Sequence, residues 1–299
     1  MKILITRNWV DRYQDYLSDS IFHGLKSLGE EVVDVPQLWY MYKDEFTSGK
    51  RSLVNDVYGR GFTLYSSIDS DNVDRTDIEH KIRSSYFDII ICSRAELPGP
   101  YYYQMLESYP HNKIIVLDGT DETHLCDQNL LGKATYFKRE NVHPYNRSVH
   151  PISFSFPKEK IQKPNFNKSK MMAAPDPRAA SSFSFFKEED YYNEYNKSCF
   201  GVTIKKGGWD CMRHYEIMGS RAIPLFLDID HCPNSILTTL PKKELFDILT
   251  VCREKGGDWI KENMDYYYEM EEKIHQHFLK HCTTEESAKY MLDIHLKNR

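Results

Sequence analysis

The chain has 299 residues, room for two domains of ordinary size, each with a core of its own. Charged residues make up 28% and hydrophobic ones 40%, which excludes a disordered chain. The net charge of −5 argues against a protein that coats nucleic acid, because neutralising phosphates needs a basic surface.

Short apolar runs alternate with helical patterns, the signature of an α/β fold. In the first half, strands are predicted over Lys2–Thr6, Glu31–Val35, Phe87–Cys92 and Lys113–Asp118, and helices over Tyr16–Leu28, Arg75–Ser84 and Tyr101–Ser108. Several of these strands end in polar or charged residues, as at the carboxyl edge of a parallel sheet, where open α/β sheets bind ligands. The stretch Pro36–Ile68 fits no simple βαβ unit and reads as a long insertion or loop, with Gly-Arg-Gly at 59–61. A change of register follows Tyr136–Arg147, where Pro144, Pro151, Pro157 and Pro164, with Asn165–Asn167, suit an interdomain connection.

A second α/β set begins there. Its predicted strands are Lys170–Ala174, Cys199–Ile204 and Ala222–Asp228, with helices over Glu188–Asn196 and Asp210–Gly219. From Pro241 to Arg299 the pattern is mostly helical, with breaks near Gly256-Gly257 and Thr283-Thr284. The expectation is two domains, residues 1–150 and 151–299, the second with a helical tail. The opening MKILIT is too short an apolar run for a signal peptide, and nothing approaches the ~18 apolar residues of a membrane span. Seven scattered cysteines with no CxxC pair support neither a zinc ribbon nor a redox motif; free thiols in a reducing compartment account for them. A cytoplasmic location is expected, peripheral to a membrane if the acceptor is lipid-linked.

The most informative stretch is CFGVTIKKGGWDCMRHYEIMGSRAIPLFLDIDHCP, Cys199 to Pro233. A buried strand leads into the turn Lys205-Lys206-Gly207-Gly208, in which two glycines permit backbone geometry closed to other residues. Trp209 offers a flat surface for a base or sugar ring, and Asp210 is placed to cap the next helix. A strand, a glycine turn and a helix N-terminus suit a diphosphate. Asp210, Arg213 and Glu216 recur close to one helix face, with Arg213 able to pair with phosphate oxygens and Glu216 able to accept two ribose hydroxyls. His214 points elsewhere and reads as structural.

In its order of parts, GGWDCMRHYEIMGSRAIPLFLDIDHCP resembles the donor-site segment of exostosin-like and related GT-B glycosyltransferases. Tyr191-Tyr192 and Ser198 precede the strand much as in such enzymes, and Phe87–Ser93 and Leu117–Asp121 look like sheet edges of the acceptor domain. The resemblance implies two Rossmann-like domains facing across a cleft, residues 1–150 on the acceptor side and 151–299 binding a nucleotide sugar, UDP-linked by preference. It implies sugar transfer to a glycan or other hydroxyl acceptor, with the leaving diphosphate stabilised by Lys205, Lys206, Arg213 and a helix N-terminus, and no metal cofactor. The base is then expected from the N-terminal half, with Asp121, Asp118 and Glu96 as candidates; Asp74 and Asp77 read better as the first turn of a helix. Gly59, Arg60 and Gly61 read as a tight turn or as a cover over the substrate. The triplets Asp69–Asp71 and Asp228–Asp230 read as non-metal. Neither GxxxxGK[ST] nor a GxGxxG after the first strand occurs, which disfavours a P-loop kinase and a dinucleotide dehydrogenase. A non-catalytic nucleotide- or sugar-binding protein is the rival reading.

Overall fold

The computed structural model describes residues 1–7, 15–44, 62–70, 72–93, 99–142, 146 and 148–297. Six strands form the larger sheet: β1 (Lys2–Thr6), β2 (Glu31–Val35), β3 (Ile89–Ser93), β4 (Ile114–Asp118), β5 (Thr135–Lys138) and β6 (Val149–Pro151). Their order is β2-β1-β3-β4-β5-β6 and every pairing is parallel. β1, β3 and β4 are near-continuous apolar runs because parallel strands are covered on both faces. Ile3, Ile5, Ile89, Ile91, Ile115 and Leu117 face helix α1 (Tyr16–Ser27), whereas Leu4 and Ile90 face α2 (Ile78–Arg83) and α3 (Tyr102–Ser108). The sheet is therefore doubly wound and Rossmann-like.

Three further parallel strands, β7 (Lys170–Met172), β8 (Ser198–Thr203) and β9 (Ile223–Phe226), form the second sheet. α4 (Glu188–Asn196) links β7 to β8, and α5 (Met212–Gly219) links β8 to β9. The remaining chain is helical: α6 (Lys242–Glu262), α7 (Met264–His281) and α8 (Thr284–Lys297). Gly256 breaks α6 with φ 78°, a left-handed value that glycine adopts without strain. α6 packs on β9 and α7 on α5 and α6, but α8 returns to the first sheet and lies along α1. There Gly24 is obligatory in a packing sense, since an added Cβ would run into the Thr284 carbonyl and Ala288. One hydrophobic core runs without interruption from Ile3 and Phe22 to Phe278 and Leu292.

Several predicted bounds differ from these in ways that have local causes. The helix expected from Arg75 starts at Ile78 because Asp77 takes a left-handed φ of 50°. Asp77 makes no capping hydrogen bond through its side chain, and Asp74 instead accepts from Thr76 and from Lys81 Nζ at 2.8 Å. β5 and β6 fall where a change of register and an interdomain connection were expected, so that Pro151 belongs to the first sheet; four and three residues are too few to carry a period-2 pattern. Gly59, Arg60 and Gly61 lie outside the described residues, as do Glu96 and Asp71. Among the described residues no helix is long and apolar enough to cross a membrane.

Candidate functional site

β8 ends at Thr203, and the chain turns through Lys205–Trp209, closed by a hydrogen bond from the Lys206 amide to the Gly208 carbonyl at 3.0 Å. Here the expectation needs correction. Neither glycine occupies the left-handed region; both are needed because the opposite half of the protein comes too close for a side chain. A Cβ on Gly207 would overlap the Asp121 carboxylate, and one on Gly208 would sit 2.5 Å from Glu140 Oε1 and 3.0 Å from Arg139 Nη1. The turn is thus where the two sheets' carboxyl-end loops meet.

α5 follows, and its N-cap is Cys211 rather than Asp210. Asp210 is buried and accepts from the Phe154 amide at 2.8 Å and the Tyr215 hydroxyl at 3.0 Å, so its oxygens are spent tying α5 to the segment after β6. Burial outweighs nearby Arg139 and pushes its pKa up to about 7. His214 is structural, as expected. Thr203 Oγ1 lies 2.9 Å from its Nδ1 and the Trp209 carbonyl 2.8 Å from Nε2, and burial lowers its pKa to about 3.

Arg213 and Glu216 differ sharply in how well they are satisfied. Arg213 stacks over the Phe183 ring at 5.2 Å, and among the described residues its buried Nε and Nη1 find no hydrogen-bond partner. Glu216 has both oxygens engaged, Oε1 with Thr63 Oγ1 at 2.5 Å and Oε2 with the Tyr191 hydroxyl at 2.8 Å. Burial raises the Glu216 pKa despite these bonds.

The facing wall comes from the first sheet. Arg139, directly after β5, is almost wholly buried and donates to the carbonyls of Gly119 and Asp210, to Glu140 Oε1 at 3.0 Å, and to Asp121. Asp121 is the first-sheet carboxylate that lines the cavity, and it is held there by Arg139. Asp118 does not reach it. It is fully buried against Lys138 Nζ at 2.7 Å, with Tyr136 and Cys126 also donating. Burial would raise its pKa, but Lys138 and these donors prevail and hold it below the usual carboxylate range.

Between the walls lies a cavity of about 790 Å³. Tyr16, Phe62, Phe154, Phe183, Phe185 and Tyr191 give it an aromatic lining, and Asp121, Lys206, Gly207, Gly208, Asp210, Arg213 and Glu216 supply its polar part. Seven sequence-predicted site residues are thereby brought together. Lys205 and Trp209 are not in the lining: the Trp209 ring packs on Phe226 at 6.3 Å, and Lys205 Nζ sits 5.9 Å from that indole. Lys206 does line the cavity, its ammonium donating to the Pro177 carbonyl. Asp228 accepts from the Lys205 amide, Asp230 pairs with Arg253 at 3.2 Å, and Asp69 pairs with Lys43 at 2.6 Å. Among the described residues no group of three or more His, Cys, Asp or Glu is placed to hold a metal ion.

Arg139, Thr63, Phe183 and Phe185 were not singled out from sequence. Arg139 had a signal in Lys138-Arg139-Glu140, charges directly after the short run Tyr136-Phe137, which is the same strand-end pattern read elsewhere. An anion at the start of α5 would meet Arg213's free N–H groups and the helix's positive end, while hydroxyl groups would meet Glu216. Planar rings would stack on the aromatic lining. Compared with known proteins, the chain matches no family model, and no curated protein is significantly similar to it.

Proposed function

We propose that the protein is a glycosyltransferase that moves a sugar from a nucleotide sugar, UDP-linked by preference, to a hydroxyl acceptor, with its two halves acting as the facing domains of a GT-B arrangement. The observation that carries this reading is Arg213: two buried guanidinium nitrogens without partners among the described residues, at a helix N-terminus, in an aromatic cavity at the carboxyl ends of both parallel sheets. A buried donor without a partner costs about 1–3 kcal/mol, a burden best explained by a ligand that removes it. A diphosphate fits Arg213 at the start of α5 and an aromatic wall fits the base, while Glu216, already held by Thr63 and Tyr191, has only its remaining lone pairs to offer a ribose hydroxyl. Asp121 is the base candidate facing this donor seat.

The Asp121–Arg139 ion pair favours a second reading, a binding protein without turnover, because Arg139 already holds the oxygen that would have to take the acceptor's proton. Incubation with UDP- and GDP-sugars and an acceptor panel separates the two. Release of nucleoside diphosphate, lost in Arg213→Ala, supports transfer; binding with no release across the panel supports the second reading. Turnover is expected to survive chelator, and activity abolished by chelator and restored by manganese would overturn the metal-free mechanism.

A further inference from the structure

The contacts beneath Glu216 contain more oxygen pairs than hydroxyl protons. Glu216 Oε1 is 2.5 Å from Thr63 Oγ1, Thr63 Oγ1 is 2.7 Å from the Tyr192 hydroxyl, and that hydroxyl is 2.9 Å from Glu188 Oε1. Each separation lies in the range of an O–H···O bond, and each bond requires one proton. Thr63 and Tyr192 contribute one apiece, and two protons cannot fill three bonds. Two oxygens at 2.5–2.7 Å with no proton between them would repel.

We propose that Glu216 and Glu188 share one additional proton along this chain of hydroxyls, so that the cavity meets its ligand with an uncharged acid beside Arg213. The surroundings decide which end carries it. Glu188 Oε1 accepts from the Thr63 amide at 2.6 Å and from Lys160 Nζ at 2.8 Å, so an oxygen already facing these donors has no room for a proton of its own. Glu216 is half-buried under α4, where Tyr191 donates to its other oxygen and Tyr195 stands behind Tyr191 at 3.4 Å. Among the described residues its other charged or titratable neighbours are Arg213 and Cys211 from its own helix end and Tyr16 from α1. The proton therefore sits on Glu216 Oε1 and points at Thr63, Thr63 donates to Tyr192, and Tyr192 donates to Glu188. Burial raises the Glu216 pKa, in agreement with this order.

The consequence for ligands rests on the cavity being an anion site. A neutral Glu216 leaves the Arg213 charge uncompensated and available to phosphate oxygens. Ionisation of Glu216 would place a competing carboxylate on the same helix face, so an anion should bind with the proton retained and lose affinity as pH rises.

Two measurements test this, and the first needs no ligand. In protein carrying carbon-13 at its glutamate carboxyls, the resonance missing from Glu216→Gln should titrate above the ordinary glutamate range. In Tyr192→Phe its midpoint should fall, because Thr63 is then free to donate to Glu216. Gln mimics the neutral acid, so Glu216→Gln should keep its melting temperature. A Glu216 resonance that titrates in the ordinary glutamate range in the native protein overturns the proposal. Second, calorimetry with inorganic pyrophosphate should show proton uptake on binding and an affinity that falls about tenfold per pH unit above the Glu216 midpoint, the slope for one linked proton. Both effects should vanish in Glu216→Gln, and a pH-independent native affinity counts against the shared proton. If pyrophosphate fails to bind at any pH, the anion-site reading falls, while the carboxyl titration still judges the shared proton by itself.

Discussion

Replacing Arg213 by methionine should move ligand affinity and protein stability in different directions. Methionine has nearly the length of the arginine stem and keeps contact with Phe183, so little packing is lost. In the unliganded protein the change removes a buried guanidinium whose Nε and Nη1 have no partners among the described residues. That relieves about 1–3 kcal/mol of unmet desolvation against about 1 kcal/mol of lost cation–π attraction. Stability should therefore stay level or rise by up to ~2 kcal/mol. Ligand binding loses two charge-assisted hydrogen bonds at about 1.5–3 kcal/mol each, which corresponds to a fall of at least ~100-fold. Titration calorimetry with UDP and pyrophosphate reads the second effect, and thermal unfolding reads the first. A lowered melting temperature with unchanged affinity would refute the reasoning, because Arg213 would then be a structural residue.

Gly208→Ala should destabilise the fold by about 1–3 kcal/mol, the usual cost of overpacking, and Gly207→Ala by less. Glu140, against Gly208, is 1% exposed and cannot yield, whereas Asp121, against Gly207, is 57% exposed and can swing aside; thermal unfolding ranks the two. Lys138→Met should cost about 3–5 kcal/mol by stranding buried Asp118, and denaturant titration should show that loss in the absence of any substrate. Asp210 has a folded pKa of about 7, above the usual carboxylate value, so the native state binds the extra proton and stability falls as pH rises from about 4 towards 7. Asp210→Asn should make that decline shallower in melting temperatures recorded across the range; an unchanged profile would leave the decline to Glu271, whose pKa burial also lifts to about 7.

The parts of the fold that sequence reading recovers are those where one local signal is enough. β1, β2 and α4 carry unbroken patterns, and their expected bounds are the observed ones. The break in α6 was legible because Gly-Gly interrupts a helix wherever it stands. The site was legible mainly on its C-terminal side, where Gly207, Gly208, Arg213 and Glu216 lie within ten residues, and on the other side only at Asp121, after a strand end. Asp210 was misassigned because capping preference is a local argument, whereas Phe154, 56 residues away, claims its carboxylate. Thr63 reaches Glu216 across 153 residues, and no periodicity or spacing reports a contact of that kind.

The return of α8 to α1 also sets the order in which the chain can complete itself. His23 on α1 meets Thr284 at 2.9 Å across 261 residues of sequence. At ribosomal speeds of about 5–20 residues per second, roughly 13–50 s separate the synthesis of α1 from that of the helix that covers it. Throughout that interval the apolar side of α1 that α8 covers has no permanent neighbour, and a chaperone is the natural temporary one. Loss of α8 by premature termination should therefore show itself first as exposed surface on α1, 261 residues upstream.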